Sequence, residues 1–586
     1  MIDLETAKQW YQAAADQSYD AVMEAQSDRD FRDGKQWTTE EIAELKRRKQ
    51  PIVVDNVVKP VIDSLLGLEI KSRTDIKGFP RNPSDENAAE AATDALRFIA
   101  DNNTFDKIKT RVAEHTFIEG RAAGITEVVK KGDRFEIKMA FIPYDRYFID
   151  PHSMHLDSID KKYDGMAIWM DAEDAPGKYK DADPGLFEFT AENMDVHKDR
   201  PEDGYYDKGR NRVKIIDMFF NRDGWKRCIF TGGGFIVEPH DSPYLDDDGE
   251  PSNPIETVTG FLDRDNNPYG LVRQIKPLQR EINARRSRAL HLLNTRQIQM
   301  EKGAVEDVNV ARREAAKADG VIVTNPGKEF LVNNTGDLAQ GQMVLLQDAK
   351  NSAQSSILNP ALTGDEPRNL SGRALQSRQA GATLEVTPIL DQLRDWQKRM
   401  YIQGWNRVKQ FWDEERWIRV TDDEKNVKFI ALNRPITARE MLLSEEGGEE
   451  IVAQLEGDPR LEQIVKVENA TADLGLDIIL EDVPDIVNIQ AEQFELLANV
   501  ASSNPDAVPF EMLIEMSSIR NKDRILERLQ GGSPEAQQAN QARGELQQRG
   551  VVAQIAKDEA KAELDSTKAY QTQVETELAM MGREAI

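Results

Sequence analysis

Residues 150–157 bring together the groups that most readily do chemistry in this chain. His152 and His155 stand between Asp150 and Asp157, and imidazole nitrogens with carboxylate oxygens can ligate a divalent metal. The same loop contains Pro151, and structural hydrogen bonding is the simpler use of these side chains. Asp246 to Asp248 with Gly249 resembles the start of a calcium loop, but Ile255 stands where the twelfth-position carboxylate belongs. Gly34-Lys35, Gly177-Lys178 and Gly327-Lys328 lack the following Ser or Thr and the spaced glycine of a P-loop. Gly232 to Gly234 does not fit G-x-G-x-x-G and follows a hairpin, so it reads as a tight turn. Neither G-x-S-x-G nor H-E-x-x-H occurs. The single cysteine, Cys228, excludes an intrachain disulfide and a cysteine zinc site, and Ile229 and Phe230 point to a buried thiol. No metal, cofactor or catalytic residue is expected, and the chain does not read as an enzyme.

A different chemistry belongs to residues 268–302. Leu271, Ile275, Leu278, Ile282, Ala289 and Leu293 fall on one side of a helix, and Arg273, Lys276, Arg280 and Arg288 fall on the other. From Leu271 to Lys302 there are eight Lys/Arg against two acids, a local balance of +6. Such a helix is either a solvated face on a packed rod or a set of guanidinium groups offered to phosphate. Thirty residues make a rod of roughly 45 Å. Pro277 kinks it or marks the first turn of its main segment.

The surroundings of that helix are acidic: 76 basic against 104 acidic residues leave a net charge of −28 over 586 residues. This opposes simple coating of nucleic acid and suits a surface along which DNA slides without sticking. The length allows about three or four domains. Apolar content of 39% and charged content of 31% suit a soluble protein with many exposed helical faces. No stretch approaches the ~20 apolar residues of a membrane span, and MIDLETAKQW has no signal pattern, so a soluble, cytoplasmically made chain with no membrane contact is expected.

Along the chain, the patterning predicts an α+β fold, mainly helical. Helices are expected at 2–30, at 39–48, through the apolar run closing near Gly67, from Ser84 to about Asn102, and at 104–120. ITEVV and FEIKMAFIP flank the turn KKGDR as paired strands. Residues 144–164 and WMDAEDAPGKYKDADPG read as loops, and 212–238 as a second hairpin region. After the basic helix come a short helix at NVARREAAKA, strands VIVT and EFLV, and a returning helix at about 337–358. These suggest two antiparallel rods with a knob at the far end. A very long helix kinked at Pro388 carries Ile389, Leu393, Trp396, Met400, Trp405, Val408 and Trp412. WIRVT and VKFIALN form a hairpin, 437–468 reads as acidic helix, LDIIL as a strand, and two helices follow at about 485–500 and 509–529. Gly531 to Pro534 is a linker to an Ala/Gln/Glu/Lys-rich tail, either a helix ordered only by association or a frayed end.

Five segments then match a known pattern in order: DRDFRDGKQW, VVDNVVKPVIDSLLG, FIPYDRYFIDP, YGLVRQIKPLQREINARRSRALHLLN and LNPALTGDEPRNLSGRAL, spanning about 28 to 375. The chain resembles the portal (head-to-tail connector) proteins of tailed bacteriophages, most of all the large portals of short-tailed phages. The resemblance implies a ring of normally twelve copies at one capsid vertex. Double-stranded DNA is packaged and ejected through that ring, with a terminase motor, capsid, scaffolding and tail adaptor proteins as partners. It implies a virion component that passes through the host cytoplasm during assembly. It further implies a wing/hip region at 1–270, a first stem helix at 271–300, a clip at 301–336 and a second stem helix at 337–358. A channel loop (around Thr363 to Gly372), the long wing helix and a hairpin would occupy 359–469. Crown helices at 470–530 would precede a C-terminal extension at 531–586 in the crown or a helical barrel.

On this reading Arg273, Lys276, Arg280 and Arg288 face the DNA channel. Leu271, Ile275, Leu278, Ile282, Arg285, Arg286 and Leu293 meet neighbouring subunits. Two other functions remain open, a metal-dependent DNA-processing enzyme acting through acids such as Asp246 to Asp248, and a non-viral helical scaffold.

Overall fold

A computed structural model describes residues 2–482, leaving out 72–73, 82–85, 133, 189–203, 295–296, 316, 318, 334–335, 356–371, 422–426, 444–451, 453–458 and 472–473. The expected helix start at Ser84, most of the channel loop, the helices at 485–500 and 509–529 and the C-terminal tail lie outside the described residues.

The chain begins with α1 (Leu4–Asp33), whose N-terminus is capped by the Asp3 carboxylate accepting from the Thr6 amide at 2.9 Å. Gly34 ends it at φ 91°, a left-handed conformation that glycine adopts without strain. α2 (Thr39–Arg47) starts at a capping box, in which the Thr38 and Glu41 side chains each accept from the other's amide. α3 (Val58–Lys71) runs straight through Gly67, contrary to expectation. Its buried face continues from Val58, Ile62 and Leu65 to Glu69, which pairs with buried Lys109 at 3.6 Å, so tertiary packing outweighs the local cost of one glycine. β1 (Thr74–Pro80) follows, then α4 (Glu86–Asn102) and α5 (Phe105–Ile118).

The β-rich middle of the chain contains more strand than the patterning indicated. β2 (Arg121–Lys131) and β3 (Arg134–Ile142) form the expected hairpin. β4 (Tyr147–Ile149) and β5 (Tyr163–Asp171) take residues read as loop, because β5 pairs along its nine residues with β7 (Arg212–Asn221). A single turn, α6 (Ala175–Lys178), and the two-residue β6 (Tyr206–Asp207) precede β7. β8 (Trp225–Thr231) and β9 (Gly234–Asp241) complete a sheet ordered β4-β5-β7-β8-β9, with β6 also on β7. β10 (Ile255–Thr259) adds to β2, and β11 (Phe261–Leu262) pairs with β12 (Pro268–Tyr269).

Next come α7 (Val272–Asn294), β13 (Gln297–Met300), α8 (Val308–Ala315), β14 (Phe330–Asn333) and α9 (Gly336–Ser355). The basic helix therefore stops before residue 300, and its last residues become a strand paired with EFLV. VIVT at 321–324 is not a strand. α10 (Gly372–Phe411) is the long helix, with Pro388 inside it. β15 (Arg416–Thr421) and β16 (Val427–Leu432) form the expected hairpin. Within 437–468 only α11 (Ala438–Leu443) is α-helix of more than one residue among the described residues. Ile464–Glu468 (β18) instead pairs with Arg434–Thr437 (β17). β19 (Leu476–Asp482) closes on β1, nearly 400 residues back.

The fold is thus a mixture of helix and strand, α+β and not purely helical. Its largest core joins α3, α4, α5 and α7 to the apolar face of α10. Trp396 on α10 is fully buried, stacks on Phe105 at 5.8 Å and donates through Nε1 to the Glu256 carbonyl at 3.0 Å. That bond satisfies an edge carbonyl of β10 in the interior. A separate core seats the first half of α1, through Ala7, Tyr11 and Ala14, on Phe148, Met218 and Phe220 of the large sheet.

Candidate nucleic-acid interface

The basic helix α7 is entered through a tight crossing. Gly120 has φ 89°, and a Cβ there would lie 2.2 Å from the Tyr269 carbonyl carbon. The Leu271 amide then donates to the Phe117 carbonyl at 2.8 Å. From this anchor Val272, Ile275 and Ile282 turn into the main core, alongside Leu346, Ala349 and Ala353 of α9, and Ala289 is buried further along the helix. α9 runs back beside α7 after the β13–β14 hairpin, which gives the expected pair of rods and knob.

α7 has a second inward-facing row that apolar periodicity does not reveal. Gln279, Asn283 and Ser287, four residues apart, are all buried. Gln279 accepts from the Val57 amide and donates to the Asp55 carbonyl, both at 2.8 Å. Asn283 accepts from the Asp55 amide at 2.9 Å and donates to Gln36 Oε1 at 2.6 Å. Ser287 donates to the Pro51 carbonyl. The extended segment 51–57 is therefore strapped along α7 by backbone hydrogen bonds that would otherwise be unmet. Its Asp55 carboxylate pairs with Arg286 of α7 and, at 2.6 Å, with Lys350 of α9. Burial disfavours that charge, but Lys350 and Arg286 outweigh it and hold the carboxylate below its usual range.

The candidate channel residues separate into different environments. Lys276 is buried, not displayed: its ammonium donates to Glu24 at 2.6 Å and Asp28 at 2.8 Å, both on α1, and lies 5.3 Å from the Phe31 ring. The expectation fails because α1 packs on the flank of α7 beside the apolar stripe, so the helix is covered over more than one face. Burial pushes Asp28 up to about 6 even with Lys276 beside it, whereas Glu24, hydrogen-bonded to Lys276, is held low. Arg273 is half-buried, paired with Asp263 at 3.2 Å and set over the Tyr269 ring at 5.0 Å. Arg280 is exposed, its guanidinium 5.4 Å from the Phe31 ring. Arg288 is exposed and has no ion pair among the described residues.

The candidate interface residues also divide. Leu271, Ile275 and Ile282 are consumed by the chain's own core, which corrects their assignment to a contact between copies. Leu278 is half-buried against that core. Arg285 pairs with Glu281 one turn away at 2.5 Å, and Arg286 holds Asp55. Leu293 is 58% exposed, and Leu290 on α7 and Met343 and Val344 on α9 are exposed as well. The two α9 residues were missed because Met343-Val344-Leu345-Leu346 reads as one run, of which Leu346 alone is buried.

The acidic loops are structural where described. Asp247 bridges Arg81 at 3.1 Å and Lys409 at 3.0 Å, and Asp246 accepts from the Asp248 and Glu250 amides. Asp150 accepts from the His152 amide and ring, and Asp160 accepts from Ser153 and Met154. Among the described residues no group of three or more His, Cys, Asp or Glu could hold a metal ion. Cys228 is fully buried, and burial pushes its thiol well up.

Comparison with known families matches residues 8–224 and 220–565 to the family described as phage P22-like portal protein. The chain belongs to that portal protein family. A relative named portal protein, from Helicobacter pylori bacteriophage KHP30, is 19% identical over 404 residues, covering 66% of this chain. The match spans 63% of that portal's own length. Among the described residues no helix is long and apolar enough to cross a membrane.

Proposed function

We propose that this chain is one wall segment of a portal ring, normally of twelve copies, at a capsid vertex. Double-stranded DNA passes through the ring during packaging and ejection. The supporting observation is the rod pair α7–α9 inside a chain whose family membership covers nearly its whole length. The rods offer Arg280 and Arg288 to solvent on α7, while Leu290, Leu293, Met343 and Val344 remain uncovered. A head-to-tail contact that closes on itself would cover such apolar positions.

In this reading α7 and α9 are the stem, and β13, α8 and β14 are the clip that docks terminase and tail. α1 to β12 form the wing and hip, α10 and the β15–β16 hairpin continue the wing, and the residues beyond 470 belong to crown and barrel. Arg280 and Arg288, with Arg273 behind them, make transient phosphate contacts. The overall charge of −28 limits adhesion. The protein acts as a conduit in the virion and performs no catalytic step.

Electron microscopy and native mass measurement of the purified protein test this. A closed ring with a central hole wide enough for duplex DNA is expected, and a monomer under all conditions overturns it. Arg280→Glu with Arg288→Glu is expected to leave ring formation intact and to change the salt sensitivity of packaging. An unchanged salt profile removes these residues from the channel.

A further inference from the structure

Residues 321–324, VIVT, have the composition of a strand and, with EFLV beyond the turn Asn325-Pro326-Gly327, the pattern of a hairpin. They nevertheless pair with no strand among the described residues. The Asn325 amide donates to the Ala304 carbonyl at 2.8 Å, and its side chain donates to the Gly303 carbonyl at 2.9 Å. The start of the turn is thereby tied to the loop after β13, and β14 takes β13 as its partner in place of VIVT. Val321 is left 75% exposed and Val323 83%, the highest exposure of any large apolar side chain among the described residues.

The same knob contains an open strand edge. β13 and β14 form a two-stranded sheet, so each strand has one side without a partner among the described residues. The Glu301 amide donates to the Glu329 carbonyl at 3.0 Å, which makes these residues a hydrogen-bonded pair and, by alternation along the ladder, Gln299 and Leu331 another. The backbone groups of Phe330 and Val332 therefore point away from β13. Leu331 and Val332 are also exposed through their side chains, whereas β13 reads QIQM and is the more polar of the two strands. One chain thus carries a four-residue unpaired strand and a four-residue apolar edge of matching length, and the tie at Asn325 holds them apart.

We propose that residues 321–324 of one copy add as a third strand to the β14 edge of the next copy. The inference rests on the portal-ring reading and names where neighbouring copies join. Donor and acceptor are different patches, so the contact is head-to-tail and passes from copy to copy until the ring closes. It is continuous with the rods, since α7 leads into β13 and β14 leads into α9. Pairing supplies backbone hydrogen bonds that both segments lack within the chain.

The test is disulfide trapping in the full-length protein, with Val323→Cys combined in turn with Phe330→Cys, Leu331→Cys or Val332→Cys. Facing residues on adjacent strands lie about 4.5–5.5 Å apart between Cα atoms, within disulfide reach. The natural Cys228 is fully buried and does not compete. After assembly and oxidation, at least one pair should give a denaturant-resistant ladder of multimers ending at the closed ring. A disulfide confined to single chains shows the segment folding back on its own hairpin and overturns the proposal. Rings by native mass with no ladder from any pair overturn this contact and leave the ring reading standing, whereas absence of rings from the natural protein removes both. Amide exchange of the natural protein gives a readout without substitution. Residues 321–324 should exchange at least about tenfold more slowly in rings than in free subunits, and equal rates overturn the proposal.

Discussion

Replacing Lys276 with methionine keeps most of the side-chain volume and deletes the ammonium that faces Glu24 and Asp28. Removing one partner of a buried pair generally costs about 3–5 kcal/mol, since the remaining charge is left uncompensated. Here the cost is smaller, because Asp28 can neutralise itself. Its carboxyl titrates at about 6 in the folded protein, against about 3.9 for a free carboxyl. Asp28 therefore binds its proton more tightly folded than unfolded. Its stabilising contribution is fully present below about pH 4 and declines as pH rises through about 6, by roughly 3 kcal/mol in all at about 1.36 kcal/mol per unit.

Losing Lys276 raises that titration further. At pH 7 the protein responds by protonating Asp28, which adds only about 1.4 kcal/mol for the one unit between 6 and 7. Glu24 is partly exposed and rehydrates, adding at most about 1 kcal/mol. Lys276→Met should therefore destabilise by about 1–3 kcal/mol at pH 7 and by less than about 1 kcal/mol at pH 5, where Asp28 already holds its proton. Denaturant unfolding of both proteins at the two pH values measures this. An equal loss at both pH values, or none at pH 7, refutes the assignment of Lys276 as the buried counter-ion of Asp28.

Trp396→Ala should cost about 3–5 kcal/mol, because it opens a cavity against Phe105 and frees the Glu256 carbonyl; thermal unfolding reads the loss. Gly120→Ala should be at least as severe, since its Cβ would collide with the Tyr269 backbone at a left-handed φ, and a soluble protein of unchanged melting temperature would contradict the crossing. Leu293→Asp with Val344→Asp should leave the circular dichroism of the chain intact while abolishing its higher assembly, as measured by size exclusion with light scattering. Persistence of the assembly would place the contact between copies elsewhere.

Periodicity and turn signals were enough to place the elements whose order is written locally. The hairpins β2–β3 and β15–β16, the rods with their knob, and the apolar face of α10 follow from periodicity, because a helix or hairpin is specified by residues a few positions apart. The family was legible in the same way, from five segments kept in order along the chain. Which faces are covered depends instead on contacts between distant parts of the chain. β1 needed β19 from the far end of the chain, and β5 needed β7, before either could count as a strand. On α7, hydrophobic phase located one buried stripe but not the flank taken by α1 or the polar row bound by residues 51–57. That is why Lys276, Leu271, Ile275 and Ile282 lie inside the chain while Arg280, Arg288 and Leu293 remain outside. A helix records its own periodicity, but the number of neighbours that bury it depends on residues hundreds of positions away.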